Sequence, residues 1–158
     1  TIGSAPELDR TSGFKEILKD HPNFHIIVSK SGDFVRSVGK ELMQKILKNL
    51  AAKGQKMDVL FAHNDDMAIG AIDAIEEAGM RPGKDVVIVS VDGIRDAFKA
   101  MIAGKLNCSV ECNPLLGPQL MKAVKDFVSG KELPVRIVTS EVVFPAEVAR
   151  AILPTRKY

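Results

Sequence analysis

Residues 58–79 read DVLFAHNDDMAIGAIDAIEEAG, and this stretch predicts one strand, one polar corner and one helix. Val59 to Ala62 is a short apolar run bounded by polar residues, as is typical of a strand buried on both faces of a parallel sheet. Four polar residues follow at once, and apolar residues then recur at the spacing of one helical face until Gly79, a suitable residue to end a helix. In open α/β sheets, ligands bind outside the carboxyl ends of the strands. Asn64, in this corner, is therefore well placed to meet a ligand.

Similar apolar runs and helical patterns alternate along the rest of the chain. Further strands are expected at 24–29, 85–91 and 106–112, with a last extended segment at 136–144. Helices are expected at 6–20, 35–50, 116–128 and 145–153, besides those that follow the strands ending near 62 and 91. Strands that alternate with such helices form βαβ units. The predicted fold class is α/β, a doubly wound, mostly parallel sheet flanked by helices, and incomplete because the first helix lacks a full preceding strand.

The apolar positions of three helices predict which of their faces point inward. These positions are Phe14, Ile17 and Leu18 in the first helix, Val35, Val38, Leu42, Ile46 and Leu50 in the second, and Leu120, Met121, Val124 and Phe127 in the helix at 116–128.

Composition and charge exclude several classes of protein. The chain has 158 residues, of which 46% are hydrophobic, so it can bury a core of ordinary size and is expected to form one domain. The net charge is only +2 and the basic residues are scattered, so no nucleic-acid partner is expected. No apolar run approaches the roughly 18 residues of a membrane span.

The two cysteines are predicted to be free thiols. Cys108 and Cys112 lie four residues apart on one predicted extended segment. At about 3.3 Å per residue their Cα atoms would be roughly 13 Å apart, which is beyond the reach of a disulfide.

Polar side chains follow several of the predicted strands and are expected to face one mouth. They are Arg10 in the first helix, Asp33 with Phe34, Asn64 and Asp92. A guanidinium donates hydrogen bonds, a carboxylate accepts them and an amide does both, so such a set can grip vicinal hydroxyls. An aromatic ring can cover the apolar C–H face of a sugar. The set suits a neutral polyol better than a charged metabolite.

Each of these residues also has a purely structural interpretation. Arg10 could form a surface ion pair with its neighbour Asp9, and Asp92 could cap the helix that follows it. Asn64, or one of the two Asp residues after it, could cap its own helix, and Phe34 could belong to the core. Only their joint placement favours binding.

Enzymatic and metal-binding interpretations find little support in the sequence. No GxSxG elbow occurs, and no GxGxxG or GxxxxGK[ST] follows a strand. His63 lies beside Asp65 and Asp66, but adjacent residues point in different directions and no second His or Cys cluster accompanies them. The chain is expected to be neither an enzyme nor a metalloprotein and to need no cofactor.

Five segments together carry a resemblance to a known family. They are RTSGF at 10–14, SGDFVRSVGKELMQ at 31–44, FAHNDDMAIGAIDAIEEAG at 61–79, VSVDG at 89–93 and KLNCSVECNPLLGP at 105–118. In this order they resemble the C-terminal half of type I periplasmic sugar-binding proteins, of the ribose- and especially galactofuranose-binding kind that serve ABC transporters.

The resemblance implies which residues contact sugar. The matching positions are Arg10, Phe34, Asn64 and Asp92. At the hinge, where ribose binders have Gln, this chain has Cys112 with Glu111 beside it, as in the galactofuranose-like branch. A family aromatic just before the DG corner is Val91 here. The ligand implied is a neutral pentose or hexose, furanose forms included.

The resemblance also implies a partner lobe and a transport role. Residues 1–158 would form the C-terminal lobe of a two-lobe protein, with 114–141 packed on an N-terminal lobe absent from this chain. Sugar held between the lobes would stabilise a closed form that the membrane subunits of an ABC transporter recognise. The protein would be periplasmic, or lipid-anchored outside a Gram-positive cell. In isolation, Leu120, Val124 and Phe127 would be exposed and would favour dimerisation or domain swapping.

Two other interpretations share this fold. The effector domain of a lactose-repressor-type transcriptional regulator would need a helix-turn-helix ahead of residue 1. A ligand-loaded partner of a chemoreceptor would differ from a transport protein only in what it docks to.

Overall fold

The computed structural model describes residues 2–158, and these form one sheet of four strands. In spatial order the strands are β1 (Val59–Phe61), β2 (Val87–Asp92), β3 (Cys108–Glu111) and β4 (Val143–Pro145). The first three are parallel, and β4 is antiparallel to β3. The predicted α/β class with a mostly parallel sheet is confirmed.

Helices connect and flank these strands. Their bounds are α1 (Ala5–Leu18), α2 (Arg36–Ala52), α3 (Asp65–Glu77), α4 (Arg95–Ile102), α5 (Gly117–Val128) and α6 (Ala149–Ile152), with 3₁₀ turns at Ala146–Val148 and Leu153–Thr155 on either side of α6. Gly79 follows α3 with a φ of 75°, a left-handed conformation suited to glycine, as predicted for the end of this helix.

The main core lies between one face of the sheet and helices α2, α3 and α4. Ile75, Ile88, Phe98 and Leu106 are among its fully buried side chains. Helices α2 and α3 approach closely at Gly70, which is possible because glycine has no side chain. A Cβ at this position would overlap the carbonyl oxygen of Arg36. This packing holds α3, and with it the polar corner at its N-terminus, firmly on the sheet.

Helix α1 lies on the opposite face of the sheet. Successive side chains of a strand point to opposite faces, and Leu60 packs against the core whereas Phe61 stacks on Phe14 of α1, with ring centroids 4.7 Å apart. Helix α1 buries none of its residues fully, and Ile17 is 63% exposed, so the predicted inward position of Ile17 is wrong. The helix meets the sheet through Phe14 at β1 and through Arg10 at the end of β2, so little apolar surface is available to it.

Residues 24–29 form no strand, in contrast to the prediction. A strand needs a neighbour for its backbone groups, and a cavity of about 360 Å³ lies between this segment and β1. Phe24, Ile26 and Ile27 are exposed as a result.

The last predicted extended segment is also shorter than expected. Residues 136–142 form no strand, and β4 begins only at Val143, where the chain reaches Val110 of β3. Val35 was predicted to be inward, but it precedes α2 and is exposed.

Helix α5 presents an unpartnered apolar face. It buries none of its residues, and Leu120, Val124 and Phe127 are 63%, 45% and 70% exposed. Exposure of this kind was expected without a partner lobe, but the inward positions predicted from the spacing, Leu120, Met121, Val124 and Phe127, are not buried within residues 2–158. Cys108 and Cys112 are free thiols, also as predicted. Within residues 2–158, none of the helices combines the length and the apolar character needed to cross a membrane.

Candidate functional site

Arg10 links helix α1 to the ends of two strands. Its Nη2 lies 3.5 Å from Oδ1 of Asp92, the last residue of β2, and its Nη1 donates a hydrogen bond to the carbonyl oxygen of His63, which follows β1. The two charged side chains are 18% and 31% exposed, so they are partly shielded but still open to solvent. The partner of Arg10 is thus Asp92 across the site and not its sequence neighbour Asp9.

Asn64 caps helix α3. Its Oδ1 accepts a hydrogen bond from the backbone N–H of Met67 at 3.0 Å, which confirms the capping alternative. Its Nδ2 donates to the carbonyl oxygen of Phe34 at 3.1 Å. One buried amide therefore starts a helix and holds the turn that carries the aromatic residue.

That turn has an unusual backbone. Asp33 and Phe34 have φ values of 52° and 62°, in the left-handed region that costs non-glycine residues free energy. The hydroxyl of Ser31 donates to Asp33 at 3.3 Å, and Phe34 is half-buried. The hydrogen bond from Asn64 stabilises this conformation on the side of the turn that faces α3.

The corner after β2 is the most unusual position in the site. Asp92 has a φ of 124°, and Gly93 follows it with a φ of 79°. Burial raises the pKa of Asp92 to about 6, because the nearby guanidinium of Arg10 offsets only part of the desolvation and Asp65 and Asp66 add negative charge. Asp92 does not cap α4, whose N-cap residue is Ile94.

Asp65 holds the backbone that leads from β2 into α4. Its carboxylate is fully buried and accepts hydrogen bonds from Gly93 N–H at 2.7 Å and Ile94 N–H at 2.8 Å. It also accepts from the hydroxyls of Ser90 and Ser109. Burial raises the pKa of Asp65, although these four donors oppose that change.

The Asp65 network was missed from the sequence. Its signal lies in Ser90 and Ser109, two polar residues inside predicted strands of otherwise apolar character, and both are fully buried. A buried hydroxyl needs a partner, so these serines indicate a polar group nearby.

Glu111 and Cys112 lie beside the same corner. Glu111 is buried, and its Oε1 accepts hydrogen bonds from Arg156 Nη1 at 2.6 Å and from the Tyr158 hydroxyl at 2.9 Å. Burial works to raise the pKa of Glu111, but these hydrogen bonds outweigh it and the pKa lies below its ordinary value. Cys112 is exposed, and its backbone N–H donates to the carbonyl oxygen of Asp92 at 3.1 Å.

The predicted residues therefore form two groups, one around Arg10 and Asp92 and one around Asn64 and Phe34. The groups meet at the carboxyl ends of β1 and β2. Arg10, Asp92 and Cys112 are joined by direct contacts, and Arg10 also reaches the residue before Asn64, which holds Phe34. Asp33 lies next to Phe34 on the same turn and is exposed. Their contact with sugar stays a prediction.

The site chemistry contains donors and acceptors but no metal cluster. Among residues 2–158, no group of three or more His, Cys, Asp and Glu side chains is arranged to hold a metal ion. Burial, together with the positive charge of Arg10, lowers the pKa of His63 below its ordinary value, so its imidazole is neutral at neutral pH.

Comparison with known proteins agrees with this architecture. A sequence model described as the periplasmic binding protein domain matches residues 1–132. The chain belongs to the periplasmic binding protein family. It is 40% identical to the galactofuranose-binding protein YtfQ of Escherichia coli (strain K12), over 99% of this chain and 49% of that protein.

Solved structures of this family superpose closely on the chain. The arabinose ABC transporter binding protein from Shewanella sp. ANA-3, bound to α- and β-L-arabinofuranose, has a TM-score of 0.93 and 40% identity over 99% of this chain and 52% of that one. A protein from Mycobacterium smegmatis in complex with β-D-fucofuranose has a TM-score of 0.92 and 46% identity, over 100% of this chain and 51% of that one. The chain thus spans about half the length of these relatives.

Proposed function

We propose that the chain is one lobe of a protein that binds a neutral monosaccharide and delivers it to an ABC transporter. The observation that carries the proposal is the Arg10–Asp92 pair, a donor and an acceptor 3.5 Å apart at the carboxyl ends of the strands. Two neighbouring hydroxyls of a sugar can hydrogen-bond to Arg10 and Asp92, since each hydroxyl both donates and accepts. The relatives described above are a galactofuranose-binding protein and proteins in complex with arabinofuranose and fucofuranose, so a furanose pentose or hexose is the proposed ligand.

The same argument separates transport from regulation and catalysis. The galactofuranose-binding and arabinose ABC transporter relatives, each 40% identical, are binding or transport proteins by name, which favours this function over the effector domain of a lactose-repressor-type regulator. The site offers hydrogen-bonding groups rather than an activated nucleophile, so the ligand would leave unchanged. The proposed location is the periplasm or, with a lipid anchor, the outer face of a Gram-positive cell.

We propose that residues 114–141 pack against an N-terminal lobe that completes the binding cleft. The apolar side chains of α5 support this, because Leu120, Val124 and Phe127 are exposed on one helix. The two chain segments that flank this region run side by side, with Glu111 N–H donating to Val142 O at 2.8 Å. Such a pair of adjacent crossings would act as a hinge for closure around sugar.

Calorimetric titration of the full-length, two-lobe protein with a panel of sugars tests the proposal. The panel includes galactose, arabinose and fucose, which populate furanose forms, together with ribose and glucose. Tight one-to-one binding of one sugar is expected. Failure to bind any neutral sugar would overturn the proposal, and binding of a charged metabolite instead would overturn the assigned ligand class.

A further inference from the structure

The C-terminal residues Arg156 and Tyr158 fold back against the candidate site. The side chain of Arg156 is only 8% exposed, and its guanidinium lies over three aromatic rings. The distances from its Cζ to the ring centroids are 5.3 Å for Phe98, 5.1 Å for Phe144 and 4.3 Å for Tyr158. An aromatic enclosure of this kind fixes the plane of a guanidinium.

Arg156 joins two strand ends through this fixed guanidinium. Its Nε donates to the carbonyl oxygen of Gly93 at 2.9 Å, after β2, and its Nη1 donates to Glu111 Oε1 at 2.6 Å, at the end of β3. A Cβ on Gly93 would lie 2.8 Å from Nη2, so the guanidinium also fills the space beside the glycine. The corner and the end of β3 are therefore held by one side chain.

Tyr158 completes the connection. Its hydroxyl donates to the same oxygen of Glu111 at 2.9 Å, and its carbonyl oxygen accepts the backbone N–H of Arg95 at 2.8 Å. The side chain of Arg95 donates in turn to the carbonyl oxygen of Arg156 at 2.7 Å. The last three residues are thus attached to the start of α4 as well as to β3.

The residue after Asp92 is held on both sides. Asp65 accepts from the N–H of Gly93 at 2.7 Å, and Arg156 donates to its C=O at 2.9 Å. Asp92 itself has the unusual φ of 124°, a strained conformation that persists only where the surrounding backbone is held in place. The direction of its carboxylate therefore depends on how firmly Gly93 is held. On the hinge side, Glu111 directly precedes Cys112, whose N–H donates to the carbonyl oxygen of Asp92.

We propose that Arg156 and Tyr158 are positioning residues that orient the Asp92 carboxylate for its ligand and couple it to the crossing segment at Glu111. They would do so without touching the ligand. The inference rests on the proposed function for the identity of that ligand, a neutral sugar, but the positioning of the corner can be measured without any sugar.

The first measurement is amide hydrogen exchange of Gly93 and Ile94 in the ligand-free, full-length protein. Arg156→Met retains an apolar side chain among the aromatic rings and removes both hydrogen bonds. We expect the two amides to exchange at least tenfold faster in this variant, with a smaller change in Tyr158→Phe. Arg150→Ala is the matched control, since Arg150 is an exposed arginine of the neighbouring helix. Exchange at the wild-type rate in a folded Arg156→Met variant would overturn the inference.

The second measurement is sugar affinity and dissociation rate, taken well below the unfolding temperature of each variant. We expect Arg156→Met to weaken binding at least tenfold, mainly through faster dissociation, Arg156→Lys to recover part of the affinity, and Arg150→Ala to bind as the wild type does. A lowered unfolding temperature with unchanged affinity would show a merely structural role and overturn the inference. If Arg156→Met does not fold, Tyr158→Phe and Arg156→Lys carry the same test.

The two measurements separate this inference from the proposed function. A wild-type protein that binds none of the sugars, yet shows the faster exchange in Arg156→Met, would contradict sugar binding and support the positioning role. Sugar binding that does not change in the Arg156 and Tyr158 variants would support sugar binding and contradict the positioning role.

Discussion

The guanidinium of Arg10 lies 3.5 Å from the carboxylate of Asp92, although 82 positions separate the two residues in the chain. The pair joins α1, on one face of the sheet, to the end of β2. Helix α4, which follows β2, packs on the other face. Neither charge is fully buried, so both remain available to a ligand at the edge of the sheet.

Replacement of either member of this pair should weaken sugar binding by the full-length protein. Arg10→Ala and Asp92→Ala each remove hydrogen bonds that involve a charged group, which contribute about 1.5 to 3 kcal/mol. Titration calorimetry measures the loss, and Arg81→Ala, which breaks an exposed ion pair with Asp85, is the control. Wild-type affinity in both site variants would remove these residues from the binding site.

Sugar affinity should fall as the pH is lowered from 7 to 5. The pKa of Asp92 is raised to about 6, so its carboxylate becomes protonated in this range and can no longer accept hydrogen bonds from two hydroxyls. The protein with Asp92→Asn should bind weakly at every pH. A wild-type affinity that does not change between pH 7 and pH 5 would contradict the assignment.

Asp92 should also reduce the stability of the ligand-free protein at neutral pH. Its pKa is raised from 3.8 to about 6 by folding, so the folded state holds a proton that the unfolded state has released between these values. The free energy of unfolding therefore contains a contribution that decreases as the pH rises from about 4 to 6. Urea unfolding of Asp92→Asn should lack this contribution and show higher stability than the wild type at pH 7. A variant less stable than the wild type at pH 7 would show that the Arg10 contact outweighs burial.

The buried carboxylate of Asp65 should matter far more for stability than its exposed neighbour. Asp65→Ala leaves Ile94 N–H and the Ser90 and Ser109 hydroxyls without their acceptor and should cost about 3 kcal/mol or more, since each unsatisfied buried group costs about 1 to 3 kcal/mol. Asp66→Ala breaks an exposed ion pair with Arg36 and should cost less than about 1 kcal/mol. Urea unfolding compares the two, and equal losses would contradict the assigned role.

Two variants of Asn64 should distinguish its role as a helix cap from its support of the turn that carries Phe34. Asn64→Ala removes both hydrogen bonds, and loss of the cap alone should cost about 1 kcal/mol. Asn64→Asp keeps the acceptor for Met67 N–H but loses the donor to Phe34 O. We therefore expect Asn64→Asp to unfold closer to the wild type than Asn64→Ala, yet to bind sugar more weakly than the wild type. Identical unfolding curves for the two variants would show that the cap contributes little.

The sequence predicts best what depends on near neighbours. The strand, corner and helix of residues 58–79 are found, because an apolar run, a capping Asn and a helical repeat are all local signals. The predicted burial of this strand on both faces is wrong, since β1 lies at the end of the strand order and Val59 is 40% exposed. Residues 24–29 have an equally apolar pattern but form no strand, since a strand also requires a partner that a local pattern cannot supply.

The candidate site shows the same division. Arg10 in the first helix and Asp92 at a strand end were predicted to share one mouth, and they are in contact. The partners of Glu111 were not predicted, because Arg156 reaches it from 45 residues away and looks like an ordinary basic residue near the end of the sequence. Long-range pairs of this kind have no local signature.

The unpaired segment at 24–29 and the free edge of β1 also affect how the chain behaves at high concentration. Residues 24–29 belong to no strand, and the aliphatic run Ile26, Ile27 and Val28 within them is exposed. Such edges are templates for pairing with another molecule, and short aliphatic segments of high β-propensity are prone to fibril formation. We therefore expect aggregation of this chain at high concentration to begin at residues 24–29 and at β1, through backbone hydrogen bonds and not through the polar side chains of the candidate site.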